Sequence, residues 1–157
     1  MIKVLFLDCD GVVVTTKSLV GKNVPPGQVV LASQVMDVMD QSCLIALRKI
    51  LDATGAKIVF TTTRRISRNG LRDAFALNNA SDIWKLHIGS TPNHGDNGHR
   101  SDEIDTWLGD NDGLVSKYAV IDDLDMKWAF KDAFFGTYID DGLTDVIADK
   151  VIAYLNV

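Results

Sequence analysis

Residues 2–11 read Ile-Lys-Val-Leu-Phe-Leu-Asp-Cys-Asp-Gly, an apolar run that stops abruptly at two carboxylates one residue apart. A short run such as Ile2 to Leu7, apolar almost throughout, predicts a strand buried on both faces, since a half-exposed strand would alternate. Two carboxylates at positions i and i+2 of a strand end can reach one small ligand, and Gly11 permits a sharp turn away.

The same signature recurs twice. Residues 57–61 (KIVFT) form an apolar run ending in Thr61, and residues 117–121 (KYAVI) are followed by Asp122-Asp123. Helical spacing lies between these runs. In residues 40–54, Leu44, Leu47, Ile50 and Leu51 share one face, Arg48, Lys49 and Asp52 lie opposite, and Gly55 supplies the stop. Residues 67–77 are apolar at Leu71, Ala74, Phe75 and Leu77, with Ser67 as N-cap. Ser-Asp-Glu-Ile from Ser101 reads as a capping box opening a helix to about Leu108. Thr144 caps a closing helix over Asp145 to Leu155.

Residues 84–90 fit a strand or a loop equally, residues 91–100 read as loop, and residues 134–139 as a short edge strand. Around Pro25-Pro26-Gly27, Val12 to Thr15 and Val29 to Leu31 are expected to pair as a hairpin, making residues 12–35 a small flap. Strands alternating with helices predict a single three-layer α/β domain over residues 1–157, with a central parallel sheet and no large cap domain. Ligands bind such sheets at the carboxyl ends of the strands, where Asp8, Thr61 and Asp122-Asp123 would converge.

A chain of 157 residues suits one domain, and a domain of that size buries roughly 70% of its unfolded surface. Its composition, 46% apolar and 24% charged, is that of a globular protein. No apolar run approaches the ~18 residues that span a bilayer. The opening run is too short for a signal peptide, so a cytoplasmic location is expected. Cys9 and Cys43 supply neither a disulfide framework nor a zinc cluster, and Cys43 sits in an apolar helical pattern as a buried thiol. A net charge of −5 weighs against tight nonspecific nucleic-acid binding. Four carboxylates brought together would repel and raise one another's pKa values. A hard divalent cation relieves this, and Mg²⁺ suits one or two carboxylates plus a substrate phosphate.

LFLDCDGVV, KIVFTT and YAVIDD resemble the first, second and fourth motifs of the haloacid dehalogenase (HAD) superfamily. The order TGAKIV, RSDEIDTWL, VIDD, GLTD is similar to the compact, capless HAD domains of RNA-repair proteins, polynucleotide 3′-phosphatase-like domains among them. The resemblance implies a Rossmann-like HAD fold and a magnesium-dependent phosphatase. In that reading Asp8 is the nucleophile that becomes an aspartyl-phosphate, and Asp10 is the acid and base. Thr61 hydrogen-bonds a phosphoryl oxygen. Mg²⁺ is held by Asp8, the backbone carbonyl of Asp10 and Asp123, with Asp122 as a further ligand or support. The third-motif cation is Arg100, with Lys117 as fallback. Where compact relatives read Ser-Ser-Ser-Trp-Arg, this chain reads Thr61-Thr62-Thr63-Arg64-Arg65. Thr62, Arg64 and Arg65 are therefore expected to bind the substrate, and the added Arg64 cation points to a more anionic one such as a nucleotide or diphosphate.

The expected substrate is a phosphorylated small molecule, a nucleotide or a nucleic-acid end, in an open site that a bulky molecule can enter. The rivals are a phosphotransferase or phosphomutase on the same fold, and a protein that sequesters a nucleotide without turning it over. A dehalogenase is disfavoured, because dehalogenases lack the second aspartate. Arg64, Arg65, Arg68 and Arg72 make a basic cluster that fits a solvated face as well as a phosphate subsite. His87, His94 and His99 lack metal-ligand spacing. Trp84, Trp107 and Trp128 read as core or sheet-covering residues, and Asp125 as a turn or cap. The sequence is silent on oligomeric state; a homodimer covering the open site would be compatible with it.

Overall fold

The computed structural model describes residues 1–19, 24–66 and 68–157; the side chains of residues 65–69 also fall outside the description. Five parallel strands form one sheet in the order β3-β2-β1-β4-β5. These are β1 (Ile2–Leu7), β2 (Lys57–Phe60), β3 (His87–Ser90), β4 (Val115–Asp122) and β5 (Phe134–Gly136). The helices are α1 (Thr16–Leu19), α2 (Gln41–Thr54), α3 (Arg68–Leu77), α4 (Ser81–Trp84), α5 (Arg100–Asp110), α6 (Lys127–Phe130) and α7 (Asp145–Leu155). Among the described residues there is no large cap domain, and no helix is long and apolar enough to cross a membrane.

The pleat divides β1 between two cores. Leu5 and Leu7 join Ile58, Phe60, Ala119 and Ile121 beneath α2, α3 and α7, where Leu44, Leu47, Phe75 and Val151 are buried. Val4 and Phe6 join Val59 and Val120 on the other face, beneath Ile104 and Trp107 of α5 and Met126 and Phe130 around α6. Both faces of the central strand are dry, hence a nearly continuous apolar run. Phe6 meets Trp107 edge-on at 5.5 Å between ring centres. Trp107 is thus core, and Trp84 stacks on Phe60 at 5.7 Å. Trp128 is the exception: it is 73% exposed, because Met126 and Phe130 take the inward face of the short α6.

Three caps follow the local chemistry. Gly55 ends α2 at φ +67°, with its amide on Leu51 O. Thr144 accepts the amide of Ile147 at the start of α7. Asp125 accepts the amide of Lys127 at 3.0 Å. The capping box at Ser101 is overturned. Helix α5 begins two residues earlier than a cap at Ser101 would give, at Arg100, with His99 in the cap position and no side-chain cap bond. Glu103 instead accepts the amide of His94 at 3.0 Å, drawing the preceding loop onto the helix. The N-cap expected at Ser67 lies outside the described residues.

The ambiguous stretch 84–90 ends helix α4 and then forms edge strand β3, while the expected strand 134–139 stops at Gly136. The hairpin is a second correction. Val12, Val13 and Val14 are all buried, and their amides converge on Cys9 O in a tight turn. Val14 makes only an isolated bridge to Asp10, and Val29 to Leu31 belong to no strand. Three consecutive buried valines cannot serve a two-faced flap, since alternate residues of a strand face opposite ways. They plug the core under the strand ends, and the chain above them closes in a 3₁₀ turn over Ala32–Asp37.

Gly142 packs closely between this plug and α2. Its φ is +60°, and a Cβ there would strike Val12 O, Thr15 and the Cys43 sulfur. Gly142→Ala should cost about 2–4 kcal/mol, combining left-handed strain with overpacking. Urea unfolding of the two proteins measures this; a difference within 0.5 kcal/mol, on the order of an ordinary surface change, would contradict the packing described.

Candidate active site

The register of the sheet builds the site. Leu7 pairs with Phe60 on one side and Ile121 on the other, so the next residues emerge level. The amide of Thr61 donates to Leu7 O at 3.0 Å, and that of Asp8 to Ile121 O at 3.1 Å. Strand order reverses direction at β1 and β4, the switch point where such sheets open a crevice. Asp8, Asp122 and Asp123 meet there, each offering one carboxylate oxygen within 4.8 Å of the others. Asp8 and Asp122 are buried, and Asp123 is exposed.

Gly11 makes the approach of Asp123 feasible. At φ +81° it turns the chain off β1, and a Cβ on it would run into the Asp123 carboxylate. Thr137, which follows β5, donates its hydroxyl to Gly11 O at 2.7 Å and its amide to Asp122 O at 3.0 Å, fastening the loop to the sheet. Sequence reasoning missed Thr137, as a lone threonine after a short edge strand carries no signal.

Arg100, the first residue of α5, reaches across the strand ends. Its Nη1 donates to both oxygens of Asp122, at 2.9 and 2.7 Å, and stands 3.3 Å from Asp8 Oδ2. Lys117 is removed from the site: it lies early in β4, beside Lys3, with its ammonium over the Tyr154 ring at 4.3 Å. The fallback therefore fails on geometry, because the amino half of β4 points away from the crevice.

Electrostatically the cluster is acid-heavy. Burial raises the pKa of Asp8 to about 7, helped by the Asp122 charge and opposed by Arg100. Burial likewise raises Asp122, against the pull of Arg100. Burial disfavours the Arg100 cation, but Asp8 and Asp122 outweigh it and raise its pKa. Burial, then the Asp8 charge, holds the Cys9 thiol far above the ordinary range, which leaves it inert as a nucleophile. A hard cation fits this donor set: three carboxylates that repel one another, two of them withdrawn from water, with all-oxygen donors.

Asp10 stands apart from that trio. Arg64 holds its carboxylate through Nε to Oδ2 at 3.0 Å and Nη2 to Oδ1 at 2.8 Å. Any part Asp10 has in holding a metal therefore falls to its backbone carbonyl. Arg64 also donates to Asp37 Oδ1 and Met36 O, each at 2.8 Å. Its charge is thus spent on protein carboxylates, which differs from the free substrate-facing cation expected. Thr61 and Thr62 are both fully buried at the end of β2, and the Thr62 hydroxyl accepts the Arg64 amide at 3.2 Å. The side chains of Arg65 and Arg68 lie outside the described residues, and Arg72 pairs with Asp73 on the surface. Asp37 was missed because it lies in a stretch without periodicity.

The family described as the HAD domain in Swiss Army Knife RNA repair proteins matches residues 4–148, and the chain belongs to it. Its coarse class is accordingly that of a HAD-type hydrolase domain. Among solved structures, a haloacid dehalogenase-like family hydrolase from Streptococcus pneumoniae is similar, with 13% identity, a TM-score of 0.46, and coverage of 98% of this chain and 90% of that one. No curated protein matches.

The balance of charge has a measurable sign. Between the ordinary carboxyl pKa of 3.8 and about 7, folded Asp8 keeps a proton that the unfolded chain releases. Stability of the metal-free protein therefore falls as pH rises through that window. Asp8→Asn should flatten the fall. Arg100→Ala strands buried carboxylates and should cost about 3–5 kcal/mol at pH 8, and less at pH 5, where Asp8 is protonated. Urea unfolding in chelator at the two pH values tests both, and a pH-independent loss in Arg100→Ala would refute the pairing.

Proposed function

We propose that this domain is a magnesium-dependent phosphomonoesterase that works through an aspartyl-phosphate on Asp8, with a nucleotide or a polynucleotide phosphate end as substrate. The observation that carries the reading is the level emergence of Asp8 and Asp122-Asp123 from neighbouring parallel strands, with carboxylate oxygens within 4.8 Å and Arg100 against them. The family's association with RNA repair supports a polynucleotide end.

A carboxylate oxygen of Asp8 attacks phosphorus, and the bond from phosphorus to the ester oxygen breaks. Asp10 gives its proton to that leaving oxygen. Asp10 then takes a proton from water, whose oxygen attacks phosphorus, releasing phosphate and restoring Asp8. Arg100 compensates charge on Asp8 and on the incoming phosphoryl group. Thr61, level with Asp8 at the end of β2, contributes a hydrogen bond to a phosphoryl oxygen. Asp8, Asp123, Asp122 and the Asp10 carbonyl would hold Mg²⁺, which when bound neutralises phosphate charge. The exposed Asp123 leaves that side of the crevice open to a large substrate.

The test is phosphate release from mononucleotides, 3′- and 5′-phosphorylated oligonucleotides and sugar phosphates, with Mg²⁺. Asp8→Asn should lose ~10³-fold or more. Mg²⁺ should also stabilise the wild type by about 1–3 kcal/mol at saturating concentration, and Asp8→Asn or Asp123→Ala much less. Absence of turnover in folded protein across the panel overturns the reading. Transfer of phosphate to an added acceptor instead of water would establish a phosphotransferase or phosphomutase. Nucleotide binding equal in wild type and Asp8→Asn, without turnover in either, would establish sequestration.

A further inference from the structure

We propose that Arg64 and Asp37 are positioning residues for Asp10, the inner links of a chain Asn78–Asp37–Arg64–Asp10 that carries rigidity from the core to the acid–base carboxylate. The inference rests on the role given to Asp10 above.

Asp10 needs such support. Its side chain is 46% exposed, on a loop beyond the end of β1, where packing does not select its rotamer. The Arg64 guanidinium does, through the two parallel hydrogen bonds of a fork-on-fork pair that fixes the plane of the carboxylate. Each carboxylate oxygen has two lone pairs. The pair with Arg64 uses one on each, leaving the other for a leaving-group oxygen or a water.

Arg64 is itself anchored. Its side chain is only 20% exposed, and its remaining hydrogen bonds run to Asp37 Oδ1 and Met36 O in the Ala32–Asp37 turn. That turn stands on Asn78, which is fully buried. The Asn78 amide nitrogen donates to Asp37 O at 2.7 Å, and its oxygen accepts the amide of Met39 at 2.8 Å. One buried side chain thereby clamps the backbone on both sides of Val38.

Charge separates this role from substrate binding. A guanidinium between two carboxylates is already compensated and holds little attraction for a further anion. Arg100 faces carboxylates too, but those are the site's own reacting and metal-cluster groups. Asp37 belongs to neither set, and its effect is to commit Arg64 to Asp10. A lysine could supply the charge, but not the planar fork.

Leaving-group chemistry tests this. The p-nitrophenolate ion departs without a proton, whereas an alkoxide requires one. The value of kcat/KM reports steps up to leaving-group release, so wild type, Arg64→Lys, Asp37→Asn and Asp10→Asn are compared on p-nitrophenyl phosphate and glycerol 2-phosphate with Mg²⁺. Folding of each is checked by circular dichroism and thermal unfolding. Acid–base catalysis contributes roughly 10²–10⁴-fold. A positioning loss in Arg64→Lys should therefore be about 10–100-fold on the alkyl ester and at least about fivefold smaller on the aryl ester. Asp37→Asn, which keeps the side chain's size, should show the same split in weaker form. Equal losses on both esters, full rescue by lysine, or wild-type behaviour of Asp37→Asn overturns the proposal while Asp10→Asn still shows the split. Equal losses in Asp10→Asn itself overturn the acid–base reading, and this inference with it.

Discussion

Leu7 is paired on both sides, with Phe60 and with Ile121, and everything at the crevice depends on that register. Parallel pairing forces residues after paired positions to emerge together. A slip of one residue would turn Leu7 from one core to the other and carry Asp8 with it, away from Asp122. The two apolar cores, each built from alternate residues of the same strands, make such a slip expensive. The fold thus supplies the work needed to hold like charges side by side.

That work is considerable, as the raised pKa values of Asp8 and Asp122 indicate. Burial and mutual repulsion oppose ionisation, and Arg100 only partly offsets them. The cluster is stored electrostatic strain of the kind that a hard cation relieves. Gly11 is part of the same arrangement: any side chain there would occupy the space of the Asp123 carboxylate. The three valines that follow bury themselves beneath the strand ends, so the loop bearing Asp8 and Asp10 rests on packed core and not on solvent.

Two arginines divide the electrostatic labour. Arg100 stands at the buried pair Asp8 and Asp122, where its helix begins. Arg64 holds the more exposed Asp10 against Asp37 and the turn beneath it. They look alike in composition and differ entirely in what surrounds them. Lys117, equally a cation in the sequence, is committed to Tyr154 at the far end of β4.

The sequence alone determined the three central strands, the polar residues at their ends and the alternation that makes the sheet parallel. Continuous apolar runs have one low-energy use, burial on both faces, and a run ended by acidic residues marks which end faces water. It also determined Gly55, Thr144 and Asp125 as caps, because those bonds close within a few residues. Only the tertiary structure decided what depends on distant partners. It drew Glu103 from a cap to a loop amide and folded Val12 to Val14 into a plug instead of a hairpin strand. It left Trp128 in water, set Arg100 at the strand ends and Lys117 away from them, and turned Arg64 onto Asp10 and Asp37. Each of these outcomes is fixed by a neighbour remote in sequence, and local spacing carries no record of which neighbour that is.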